Sequence, residues 1–78
     1  MTVSEQQVVT VERHNGVGIV TLNRPDVINA FNDAVRQAVP AIFHSLDEDP
    51  DIAVIVLAGA GERGFCVGAD IKEPREAI

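Results

Sequence analysis

Gly59-Ala60-Gly61-Glu62-Arg63-Gly64-Phe65-Cys66-Val67-Gly68-Ala69-Asp70-Ile71-Lys72 is the stretch on which the reading of this 78-residue chain turns. Its first six residues match G-x-G-x-x-G, and they follow Ile52-Ala53-Val54-Ile55-Val56-Leu57-Ala58, a short continuous apolar run between turn signals. Such a run is expected of a strand covered on both faces, so it is the candidate central strand. A strand followed by this glycine pattern invites a dinucleotide-binding reading, in which a helix begins within the motif and offers its free amides to a pyrophosphate. The context argues against it. Gly64, Phe65 and Gly68 follow without helical periodicity, and the acidic ribose partner, expected about 20 residues on, falls at or beyond the last residue, Ile78. Glycines that let a turn reverse direction are the better account of Gly59 and Gly61.

A second reading looks at the later half of the stretch, where Ala69-Asp70-Ile71-Lys72-Glu73 resembles the start of a helix. The first amides of a helix have no intrahelical acceptor and point outward at the positive end of its dipole, which suits a developing oxyanion. Gly68 would let a substrate approach the backbone with no Cβ in the way, and Asp70 in a first turn favours the helix electrostatically.

Toward the N-terminus the elements are readable one by one. Val8 to His14 is rich in β-branched residues, Val17 to Leu22 is a second such run, and Asn15-Gly16 lies between them. Asn-Gly suits a type I′ turn, whose two central residues need positive φ, so the two runs form a hairpin. Asn23-Arg24-Pro25-Asp26 breaks the pattern and opens a loop to about Phe31. From Asn32, a candidate N-cap, apolar residues recur at Val35, Ala38, Val39, Ile42, Phe43 and Leu46. That spacing is one buried stripe on a helix, with Asp33, Arg36, Gln37, His44 and Asp47 on the wet side. Pro40 falls on the polar side, where a kink near Arg36 to Val39 is expected, and Pro50 stops the helix after an acidic Asp47-Glu48-Asp49 end. The order is β, β, α, β, loop, start of α.

Composition narrows the function. Hydrophobic residues make up 46% and charged ones 23%, which is globular rather than disordered. A net charge of -6 offers no positive footprint for nucleic acid or an anionic membrane. One cysteine, Cys66, cannot close an internal disulfide, no apolar run approaches a membrane span, and Met1 to Gln7 has neither a basic start nor an apolar stretch. The expectation is a cytoplasmic chain with a loose tail at 1–7 and a single folded unit at 8–78. Two histidines and one cysteine lie without metal-ligand spacing, so no metal site is expected.

Asn23-Arg24-Pro25, Asn29-Ala30-Phe31, an acidic Asp-Pro before an apolar strand, Gly-x-Gly and then Phe65-Cys66-Val67-Gly68-Ala69-Asp70-Ile71-Lys72 together resemble the crotonase superfamily of enoyl-CoA hydratases and isomerases. The resemblance runs from about Val8 to Glu73 and rests on the order and spacing of the pieces. It implies an α/β fold, the N-terminal portion of a right-handed spiral of repeated ββα units. It also implies an acyl-CoA thioester whose carbonyl is held by two backbone amides, the first supplied by Ala69 and the second by a glycine of a later motif. Val27, Ile28, Ala30, Val67, Gly68, Ala69, Asp70, Ile71 and Lys72 are the implied substrate contacts. For Lys72 a phosphate contact and a solvated lysine stand level. For Asp70 the first-turn acid is the simpler account, and for Cys66 a small buried hydrophobe. Asp26 and Val27 stand where family members often carry a basic residue, a departure that speaks against a phosphate contact from that loop.

The same resemblance implies a lyase of fatty acid metabolism, with coenzyme A entering as the substrate thioester and no separate cofactor. The remainder of the crotonase fold is the expected partner, and a homotrimer or hexamer the expected assembly. Carnitinyl-CoA dehydration, thioester hydrolysis and a non-catalytic fragment docking to the rest of the fold are the alternatives. Hydratases of the family draw their catalytic acids from a later part of the chain, so these 78 residues alone are expected to be inactive.

Overall fold

The computed structural model describes residues 7–69. Strands β1 (Val9–His14) and β2 (Val17–Leu22) form an antiparallel hairpin, pairing Val9 with Leu22 through to His14 with Val17. Asn15 and Gly16 make the turn with φ of 49° and 86°, the two positive values that a type I′ turn requires. A 3-10 turn, Pro25–Val27, leads into helix α1 (Asp33–Asp47), and strand β3 (Val54–Gly59) closes the sheet.

Asn32 caps α1 as its sequence position predicts: extended at its own backbone, it accepts a hydrogen bond from the Val35 N–H at 3.0 Å. Arg36 then pairs with Asp33 one turn back at 2.8 Å. The helix runs unbroken through Pro40, whose exposed position leaves the buried stripe intact. Val35 and Leu46 are fully buried on that stripe, and Ala38, Val39, Ile42 and Phe43 pack around them against Val9, Val20 and Leu22 of the hairpin. Leu46 settles directly over Gly18, where a Cβ would stand only 3.0 Å from its Cδ1.

The sheet order is β1-β2-β3, with β3 parallel to β2 and Val17 opposite Val54. Among the described residues the central strand is therefore β2, which corrects the expectation for the run Ile52 to Ala58. The hairpin occupies one side of β2, and the crossover through α1 lays β3 on the other. Side chains alternate across a strand, so Ile55 packs into the core beneath α1 while Val54 and Val56 face the opposite side. There they are 52% and 42% exposed, and within the described residues β3 is an edge strand with one face uncovered.

At the N-terminus Gln7 is fastened, its carbonyl accepting from Asn23 Nδ2 at 3.0 Å, while the rest of the expected tail lies outside the described residues. No helix of the described chain is long and apolar enough to cross a membrane.

Candidate active site

Two segments far apart in sequence meet beyond the C-terminal ends of β2 and β3. After Pro25, the chain turns tightly enough to place Ile28 and Asn29 in the left-handed region, at φ of 50° and 56°. Asparagine tolerates this region, whereas a β-branched residue there is a backbone outlier of the kind that persists only where its surroundings enforce it. The enforcing contacts are visible. Ile28 N–H donates to the Pro25 carbonyl at 3.2 Å, and Asn29 N–H to the Arg24 carbonyl at 2.8 Å. Arg24 Nη1 donates to the Ala30 carbonyl at 2.7 Å.

The glycine-rich segment folds against this turn. Val67 N–H donates to the Ile28 carbonyl at 3.2 Å and Phe31 N–H to the Gly68 carbonyl at 2.7 Å, so that Phe31 and Ala69 form a short parallel bridge. Ile28, Ala30, Val67, Gly68 and Ala69, all expected at the substrate, are thereby brought together, with Val27 beside them through an Ala30 N–H to Val27 carbonyl bond at 3.2 Å. Asp70, Ile71 and Lys72, and the helix expected from Ala69, lie outside the described residues.

The geometry of one peptide unit matters most. The described chain has no cis peptide bond, and in a trans peptide the carbonyl oxygen and the following N–H point to opposite sides. The Gly68 carbonyl faces Phe31, so the Ala69 N–H points away from residues 28–31, and among the described residues it meets no acceptor. Gly68 itself has φ of 100°, and a Cβ built on it would touch nothing within 4 Å, which leaves the approach to this peptide open. An outward-directed N–H with no described acceptor, beside an open backbone, can donate to a carbonyl oxygen that gains negative charge.

The dinucleotide reading of Gly59 to Gly64 is overturned by the same loop. No helix begins in the motif, and residues 60–68 are irregular. Gly59 is demanded by packing, since a Cβ there would overlap the Phe65 carbonyl oxygen and come within 2.9 Å of Asn29 Nδ2. Cys66 is half-buried and packs at the edge of the core, where its Sγ accepts from the Gly68 N–H at 3.3 Å. His14 and His44 are exposed and remote, each facing a glutamate, and the described residues hold no cluster of three metal-ligating side chains.

Sequence reasoning assigned no role to Asn29, which is 1% exposed and the one buried polar side chain among the described residues. Its Oδ1 accepts from the Arg24 N–H at 2.8 Å, and its Nδ2 donates to the carbonyls of Ala60 at 3.0 Å and Phe65 at 2.9 Å. The signal available was its place in a turn between apolar neighbours, where asparagine is suited to positive φ.

This arrangement has counterparts. Residues 12–77 match the family described as enoyl-CoA hydratase/isomerase. A probable enoyl-CoA hydratase of Mycobacterium bovis is 46% identical over 67 residues, covering 86% of this chain and 26% of that protein. A mitochondrial 3-hydroxyisobutyryl-CoA hydrolase of Rattus norvegicus is 40% identical over 75 residues, covering 95% of this chain and 19% of that protein. Among solved structures, a carnitinyl-CoA dehydratase of Mycobacterium avium superposes with a TM-score of 0.83 at 38% identity, covering 87% of this chain and 27% of that one. The chain thus spans about a quarter or less of the length of these relatives. Its fold is the N-terminal portion of their crotonase-like α/β fold, and the chain belongs to the enoyl-CoA hydratase/isomerase family.

Proposed function

We propose that this chain supplies one half of an acyl-CoA active site, with the Ala69 N–H as one of two donors to the thioester oxygen. The observation that carries the reading is the Gly68–Ala69 peptide, clamped on its carbonyl side by Phe31 at 2.7 Å and, among the described residues, unmet on its N–H side. Deprotonation at the α-carbon of a thioester, or attack at its β-carbon, moves negative charge onto the carbonyl oxygen. A fixed N–H stabilises that charge without reorganising, and removing one such donor typically slows a reaction about 100-fold to 1000-fold. Val27, Ile28, Ala30, Val67 and Gly68 flank the thioester and its CoA moiety; Asp70, Ile71 and Lys72, which lie outside the described residues, are the further contacts that the family resemblance implies.

Enoyl-CoA hydration or isomerisation is the first reading, supported by the family match and the Mycobacterium bovis relative. Thioester hydrolysis or carnitinyl-CoA dehydration is the second, because the hydrolase and the dehydratase align with the same segment. All of these need an oxyanion donor, and they differ in the acids and bases around it. Those groups and the second donor come from the remainder of the crotonase fold, whose complete form assembles as a trimer or hexamer, and enolate chemistry calls for no separate cofactor. The chain alone therefore does not hydrate crotonyl-CoA.

An amide-resolved NMR titration of the chain tests this. Crotonyl-CoA is expected to move the Ala69 amide resonance, whereas coenzyme A alone moves those of Val27 and Ile28 and leaves Ala69 in place. An Ala69 resonance that stays fixed at saturating crotonyl-CoA, or hydration by the chain alone, would overturn the reading.

A further inference from the structure

We infer that Asn29, which puts no atom at the substrate, is the positioning residue that keeps the Ala69 N–H in aim; this rests on the oxyanion reading above. The Gly68–Ala69 peptide is held by the 28–31 segment, so its direction is only as fixed as the join between that segment and the glycine-rich loop. Two bonds make the join directly, Val67 N–H to Ile28 and Phe31 N–H to Gly68. The loop itself, residues 60–68, has no regular structure to hold it in place.

Asn29 supplies what is lacking. One carboxamide ties three places together: the Arg24 N–H, the end of β3 through Ala60, and the middle of the loop through Phe65, with Gly64 a longer contact at 3.5 Å. Its backbone N–H returns to the Arg24 carbonyl, so Asn29 closes a ring with Arg24 on one side and the loop on the other. A carboxamide is the side chain for this task, since Oδ1 only accepts and Nδ2 only donates, and the loop presents only carbonyls. The Phe65 anchor lies two residues before Val67, where the direct join begins, so loosening it frees the peptide that carries the donor.

Because Asn29 sits at φ of 56°, Asn29→Gly removes the carboxamide and leaves the backbone unstrained, whereas alanine would add strain. Asn29→Asp keeps the shape and the acceptor but turns a carboxylate toward the loop carbonyls. Both variants are expected to speed amide exchange at Phe31 and Val67 by roughly 10-fold or more, as loss of the two Nδ2 hydrogen bonds to Ala60 and Phe65 implies. The hairpin and helix amides should be unchanged.

A second readout is the preference for crotonyl-CoA over S-butyl-CoA, a thioether with no carbonyl. Both variants are expected to collapse that preference toward one. Retention of the preference, or exchange at Phe31 and Val67 no faster than wild type, overturns the inference. If the wild-type chain shows no preference, the Ala69 reading fails, and the exchange data still decide whether Asn29 holds the join. Should both variants unfold, native-state exchange of the wild type decides. The Asn29 carboxamide protons must open together with Phe31 and Val67, and independent opening overturns the inference.

Discussion

Ile28 and Asn29 stand side by side in the left-handed region, and the site depends on that unusual pair. Backbone strain of this kind typically costs about 1–3 kcal/mol per residue. It is tolerated because Arg24 meets Asn29 at both main chain and side chain, and because the turned segment then presents the Ile28 carbonyl and Phe31 N–H to residues 67 and 68. Gly59 belongs to the same construction. With a Cβ it would collide with the Phe65 carbonyl, a backbone atom that cannot step aside, and would press on the Asn29 carboxamide. Gly59→Ala is therefore expected to destabilise the fold by about 1–3 kcal/mol, the usual cost of overpacking. Urea unfolding checks this, and an unchanged midpoint would contradict it. At this scale the sequence was only partly legible. Gly68 and Ala69 stand out through a family resemblance, whereas the place of Asn29 in a turn between apolar neighbours does not by itself distinguish it from Asn23 or Asn32 as the asparagine turned inward. Burial of a polar group is settled by tertiary carbonyls that the sequence does not show.

Elements were read more easily, because each is decided by local chemistry. The Asn15-Gly16 turn fixed the hairpin and its register, and the Asn32 cap with its i, i+3, i+4 stripe fixed α1. The expectation that failed, β3 as the central strand, failed for a physical reason. A continuous apolar run shows that a strand can be covered on both faces, but its place in the sheet depends on where the crossover returns, and here it returns beside β2. Pro40 is a local rule broken at modest cost. It removes the N–H that would donate to the Arg36 carbonyl, yet it sits exposed on a helix that remains unbroken. Pro40→Ala is expected to raise stability by about 1–3 kcal/mol, up to the full cost of an interior helix proline. Thermal unfolding checks this, and no gain would mean that the turn around Arg36 is already satisfied some other way.

The described residues form one ββα unit and the strand after it, and the chain spans about a quarter of the length of the Mycobacterium bovis relative. The core lies between α1 and one face of the sheet, while among the described residues Val54 and Val56 leave the other face open beside the edge of β3. The candidate site lies at the far end of this sheet, where β2 and β3 release the two segments that meet at Phe31 and Ala69. Site and fold are thus one problem: the parallel pairing of β2 with β3 brings the turn after β2 and the loop after β3 together, and hydrogen bonds through Asn29 and Phe31 complete the approach. The chemistry proposed for this site rests on a single contact, the Ala69 N–H polarising a thioester carbonyl. The most direct measurement is an infrared difference spectrum of carbonyl-labelled crotonyl-CoA bound to the chain. Hydrogen bonding to the oxygen weakens the C=O bond, so the stretch is predicted to fall below that of the free thioester in water; a bound thioester whose stretch is unshifted or raised would contradict that contact.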